Sequence, residues 1–165
     1  MKITLPLIIF WCFSISFHAN SAMQMNIDLT LPEITQGQYH RPYVAVWIED
    51  SQSKHQTTIA LWREDKGFKW LKDIRRWWRK AGRDDKALVD AMTSATRPAG
   101  QYQLSWNGLS QNNTPLEPGK YTLLVEVVRE HGGRNLVKHP FILNESFNAQ
   151  IAPTAETGTI TLTYQ

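Results

Sequence analysis

Seven consecutive residues carry side chains that could act together. Asp90-Ala91-Met92-Thr93-Ser94-Ala95-Thr96 offers one carboxylate and three hydroxyls among small neighbours. Arg97-Pro98-Ala99-Gly100 follows at once and breaks regular structure. A hydroxyl that must enter another enzyme's active site needs small flanking residues and a segment that can be gripped. This stretch offers both, and the Arg97-Pro98 step favours an extended, accessible backbone at its end. A second reading without chemistry stands beside it, because Ser and Thr are common where a helix end runs into a turn.

Other residues that could do chemistry are more scattered. None of His18, His40, His55, His131 and His139 forms a pair at the i, i+4 spacing of a helical metal site. Glu126 and Glu130 would share one face of a strand, with His131 following at Gly132-Gly133. An iron or haem site there is one reading; solvated polarity on an outer strand is the other. The sequence has no Gly-x-Ser-x-Gly, no phosphate-cradling glycine loop and no triad candidate. A redox carrier or binding module fits this inventory better than a turnover enzyme.

The elements that must position these residues are mostly strands. Residues 1–22 read as a secretory signal: Lys2, an apolar run from Leu5 to Phe17, and small residues for cleavage after Ala22. The sole cysteine, Cys12, lies within it, so the mature chain, residues 23–165, can form no disulfide. Removing Lys2 takes the formal charge from +3 to +2, too little to imply nucleic acid. The mature length suits one domain exported to the periplasm. Met25–Leu31 alternates apolar and polar with period two, and Tyr43–Ile48 is a continuous apolar run fit for a central strand. Thr57–Trp62 pairs with it as a hairpin. After the motif come Tyr102–Trp106, Tyr121–Val128, Leu136–Leu143, Phe147–Ile151 and Thr159–Tyr164, separated by turns at Asn107-Gly108, Pro118-Gly119 and Gly132-Gly133. Eight short strands predict an all-β, antiparallel sandwich, interrupted by a helical insert around residues 66–96.

Within the insert, Lys69–Lys80 places Trp70, Leu71, Ile74, Trp77 and Trp78 at helical spacing, with Gly82 as its cap. The other face carries six cations and Asp73, a local net of +5. Two readings follow: indoles docked on the sandwich with solvated cations, or contact of Lys69–Lys80 with a membrane surface. A second short helix, Asp84–Met92, is expected to start at Asp84 or Asp85 and to lead straight into Thr93.

Three resemblances bear on these expectations. Asp90-x-x-Thr93-Ser94-Ala95-Thr96 resembles the flavinylation signal of proteins with covalently attached FMN, although many of those have glycine where this chain has Ser94. That resemblance implies FMN esterified to Thr96 by a flavin transferase. Asp90 would bind the transferase's metal or orient the hydroxyl, Arg97 and Arg83 would face the phosphate, and Trp77 and Trp78 would stack on the flavin ring. Trp106-Asn107-Gly108 followed by Leu116-Glu117-Pro118-Gly119-Lys120-Tyr121 resembles the Trp-Asp-Gly…Pro-Gly-x-Tyr pattern of immunoglobulin-like domains, as in flagellar hook-capping proteins. Across most of the mature chain, the order of features is similar to a family of periplasmic proteins, domain-of-unknown-function 2271. Those features are Tyr43-Val-Ala-Val-Trp47, the Trp-rich basic segment, Thr96-Arg-Pro98, Trp106-Asn-Gly108 and Glu126-Val-Val-Arg-Glu-His-Gly132. This likeness implies association with PepSY-type inner-membrane redox proteins and a flavin transferase. A non-catalytic immunoglobulin-like module docking on a membrane partner, without cofactor, is the alternative.

Overall fold

Period-two burial builds the first sheet. The computed structural model describes residues 23–35, 37–64 and 67–165; the signal and its cleavage point lie outside them. Strand β1 (Met25–Leu31) buries Met25, Ile27, Leu29 and Leu31 on one face. β2 (Tyr43–Asp50) and β3 (His55–Arg63) form the expected antiparallel hairpin, with two register shifts. The insert follows, then β4 (Thr93–Ala95), β5 (Gly100–Trp106), β6 (Lys120–Val128), β7 (Arg134–Ile142), β8 (Phe147–Ile151) and β9 (Ile160–Tyr164). They pack as a four-stranded sheet in the order β5-β1-β9-β8 against a five-stranded sheet in the order β4-β3-β2-β6-β7. The protein is an all-β sandwich.

The sandwich departs from expectation at one edge. β4 is a ninth strand, formed by the motif itself, and it pairs with β3 in parallel: Leu61 opposite Thr93, Trp62 opposite Ser94, Arg63 opposite Ala95. A parallel neighbour needs a crossover connection, and the helical insert supplies it. The insert and β4 are therefore one β-helix-β unit grafted on an antiparallel sandwich.

Two cores result. Ile27, Leu29, Val44, Val46, Ile48, Leu123, Val125 and Leu162 fill the space between the sheets. The outer face of the five-stranded sheet, with Tyr43, Ala45, Trp47, Leu61 and Leu124, packs against Leu71, Ile74, Trp77, Leu88 and Val89 of the insert. β2 is thus covered on both faces, which is why its sequence shows no alternation. At the far end Trp106 donates its indole N–H to the Leu109 carbonyl at 2.8 Å, and the Tyr121 hydroxyl donates to the Glu117 carbonyl at 2.7 Å. Gly108 takes φ +80 in this turn, where a β-carbon would be strained.

The insert is not one helix. A 3₁₀ turn (Phe68–Asp73) ends at Ile74, with φ −75 and ψ 72. A single α-turn, α1 (Arg75–Trp77), runs into a π-turn (Trp78–Gly82), and α2 (Lys86–Met92) follows. Asp85 caps α2, accepting the Leu88 N–H at 2.8 Å. Among the described residues no helix is long and apolar enough to cross a membrane.

Candidate functional site

Two buried carboxylates explain the broken helix. Glu126, on β6 and fully buried, accepts the Arg76 N–H at 3.0 Å and the Trp77 N–H at 3.0 Å, the orphan donors at the start of α1. Arg134 Nε donates to the same carboxylate at 2.7 Å. Glu49, on β2, takes a fork from the Arg76 guanidinium and the Trp47 indole N–H at 3.0 Å. Each buried charge is paired, as burial demands. The carboxylates fix where α1 starts, and a continuous helix through Ile74 would lose these bonds.

This arrangement corrects one role for the tryptophans and one for the acids. Trp77 is fully buried and donates its indole N–H to Thr58 Oγ1 at 3.0 Å, so it cannot stack on a bound ring. Trp78 is half-buried and meets Phe68 edge-on at 6.5 Å. Glu126 is committed to the insert. Among the described residues no group of three or more His, Cys, Asp or Glu could hold a metal ion, so Glu126, Glu130 and His131 do not form one.

The motif lies along the sheet edge. Asp90 is exposed and bonded to Lys86 at 2.5 Å, one turn back on α2. Thr93 donates its hydroxyl to the Val89 carbonyl at 2.6 Å, closing the helix end. Ser94 and Ala95 are exposed. The expectation of an accessible Thr96 is not met. It is 6% exposed, its N–H donates to the Arg63 carbonyl at 2.8 Å, and its hydroxyl donates to the Pro42 carbonyl. Pairing along β3 continues one residue past β4 and turns this side chain inward. Arg97 is also placed otherwise: its guanidinium lies 4.5 Å over the Trp62 ring and 5.1 Å from that of Tyr102, on the other side of the strand end. Arg83 pairs with Asp84 at the surface.

Around Thr96 stands a cleft of about 440 Å³ lined by Tyr39, His40, Arg41, Arg63, Glu64 and Ala95. A second cavity, of about 310 Å³, is lined by Tyr43, Trp70, Arg75 and the β6–β7 turn from Arg129 to Arg134. His40 stands between them. It lines the first space, its ring centre lies 5.6 Å from that of His131, and its Nδ1 is 3.7 Å from Glu130.

A family model described as a predicted periplasmic protein, domain-of-unknown-function 2271, matches residues 24–159. The chain belongs to this family. The match supports a periplasmic location and covers every strand but β9. No curated protein and no solved structure matches the chain. In this family member, sequence reasoning missed the Thr96 cleft, because Arg41 and Arg63 lie far from the motif along the chain. The one available signal was Arg41-Pro42, directly before the most apolar strand.

Proposed function

We propose that this protein is a periplasmic electron carrier that receives FMN as a phosphoester on Thr96. The observation that supports it best is the position of the motif. Asp90–Thr96 runs into the outermost, three-residue strand of a mixed sheet, and its last hydroxyl is held at the wall of the Arg41/Arg63 cleft by a hydrogen bond to Pro42. Freeing Thr96 breaks its hydroxyl bond to Pro42, its N–H bond to Arg63 and the β4 pairing with β3, each hydrogen bond worth about 1 kcal/mol net, and a short edge strand is where such local opening costs least.

The residues present suit a phosphate there. Arg41 and Arg63 line the cleft and would face the anion in place of Arg97. Attachment forms the Thr96 Oγ–phosphorus bond as a phosphoanhydride of a flavin dinucleotide donor breaks; the nucleoside monophosphate leaves and the hydroxyl proton passes to solvent. The flavin supplies the redox chemistry, and the protein supplies position and charge. A flavin transferase would load it. A PepSY-type membrane protein would exchange electrons with it, met through the exposed cations Lys69, Lys72, Arg79 and Lys80 beside Phe68 and Trp78.

Co-expression with a flavin transferase in the periplasm tests this. Intact-mass measurement should show one added FMN less a water, with flavin fluorescence that survives denaturation. Thr96→Ala should abolish both, and Asp90→Ala should lower the yield. An unmodified wild-type chain under conditions that load a control flavoprotein refutes the proposal.

A further inference from the structure

Two buried polar atoms flank the partition between the cleft and the second cavity, and neither has a hydrogen-bond partner within the described protein: His40 Nε2 and the Tyr43 hydroxyl. Tyr43 is 3% exposed, and burial pushes its pKa up, so the hydroxyl keeps its proton and remains a donor. A buried hydroxyl left unsatisfied costs about 1–3 kcal/mol, so such a group is met by water or by a ligand. The cavity that Tyr43 lines has the walls for a flat ring. Trp70 contributes an indole, held by the Lys69 ammonium 4.8 Å from its ring centre. Val128 adds an apolar floor, Asp73 and Glu130 bring carboxylates that can accept a ring N–H, and Arg75 is exposed without an ion pair among the described residues.

We propose that this cavity seats a planar, hydrogen-bonding heteroaromatic ring, and that its occupant is the isoalloxazine of the flavin carried on Thr96. This assignment rests on the function proposed above and moves the ring's wall from Trp77 and Trp78 to Trp70. A flavin ring pairs an apolar face, which stacks on indole, with an edge of carbonyl acceptors and one N–H. The Tyr43 hydroxyl donates to that edge, and His40 Nε2 supplies the second contact beside the tether.

The ring seat can be tested without the tether. The full-length Thr96→Ala chain, purified without flavin, is titrated with lumiflavin, a ring with neither ribityl chain nor phosphate. Saturable quenching of lumiflavin fluorescence is expected, lost in Trp70→Ala and retained in part in Trp70→Phe, with circular dichroism confirming both folds. Tyr43→Phe should weaken binding about fivefold, the worth of one hydrogen bond, yet raise the melting temperature of the ligand-free chain by removing the unpaired hydroxyl. A purely structural tyrosine would not combine the two effects. Absence of saturable quenching, or quenching unchanged in Trp70→Ala, overturns the assignment. In the co-expressed wild type, a loaded Thr96 whose emission and iodide accessibility ignore Trp70→Ala sinks the ring seat and leaves the carrier standing. An unloaded Thr96 with Trp70-dependent lumiflavin binding does the reverse.

Discussion

His55 gives a quantitative measure of how the insert is held. Its Nε2 lies 2.8 Å from Thr58 Oγ1, and that same oxygen accepts the Trp77 indole N–H at 3.0 Å. While its oxygen accepts from Trp77, the Thr58 hydroxyl still has its own proton to give to a neutral His55 imidazole with Nε2 as acceptor. Burial pushes the pKa of His55 down from 6.5 to about 4, against the opposing pull of Glu49 and Asp85. The folded state therefore binds fewer protons than the unfolded chain between these values. The stabilisation is fully present above the unfolded pKa, falls as pH drops from 6.5 toward about 4, and stays flat below. At about 1.4 kcal/mol per pH unit the full span is worth roughly 3 kcal/mol. Urea denaturation followed by tryptophan emission, for wild type and His55→Gln at a series of pH values, isolates this contribution from that of the carboxylates. The wild type should lose roughly 3 kcal/mol relative to the variant across the window. A difference that stays constant with pH would show that His55 titrates normally and would refute the neutral Trp77–Thr58–His55 chain.

Glu126→Ala leaves two backbone N–H groups of α1 and the Arg134 guanidinium without their carboxylate. It should cost about 3–5 kcal/mol by urea titration, with Glu126→Gln intermediate because it keeps one acceptor oxygen. Replacing exposed Lys69, Lys72, Arg79 and Lys80 by Gln should weaken co-sedimentation with anionic vesicles by about three orders of magnitude at low salt, at about 1 kcal/mol per cation. Thermal stability should fall by no more than about 1 kcal/mol, the worth of the Lys69 contact with the Trp70 ring, since none of the four side chains enters either core.

What was legible in the sequence follows from which faces are covered. β1 and β9 alternate because one face of each is buried, so period two gives both their existence and their register. β2 lost its alternation because the insert covers its outer face, and a continuous apolar run still marks a central strand. The insert was legible as an apolar stripe: Leu71, Ile74 and Trp77 are all fully buried. Its break was not, because the spacing of apolar residues carries no information about Glu49 and Glu126. These look like outward polar positions on strands until the insert closes over them.

The candidate site divides in the same way. By itself the sequence determined the chemistry at hand: the small hydroxyl-rich motif and the basic aromatic insert. Only the tertiary structure decided accessibility and company. Thr96 is buried because its hydroxyl meets the Pro42 carbonyl, 54 residues away in sequence. Arg41, Arg63 and His40 become its neighbours through the β2–β3 pairing and the parallel crossover to β4. Local spacing sets which groups a segment can offer. The sheet order sets which groups from distant segments they face, and for Thr96 that order turned a presumed loop into the last rung of a strand.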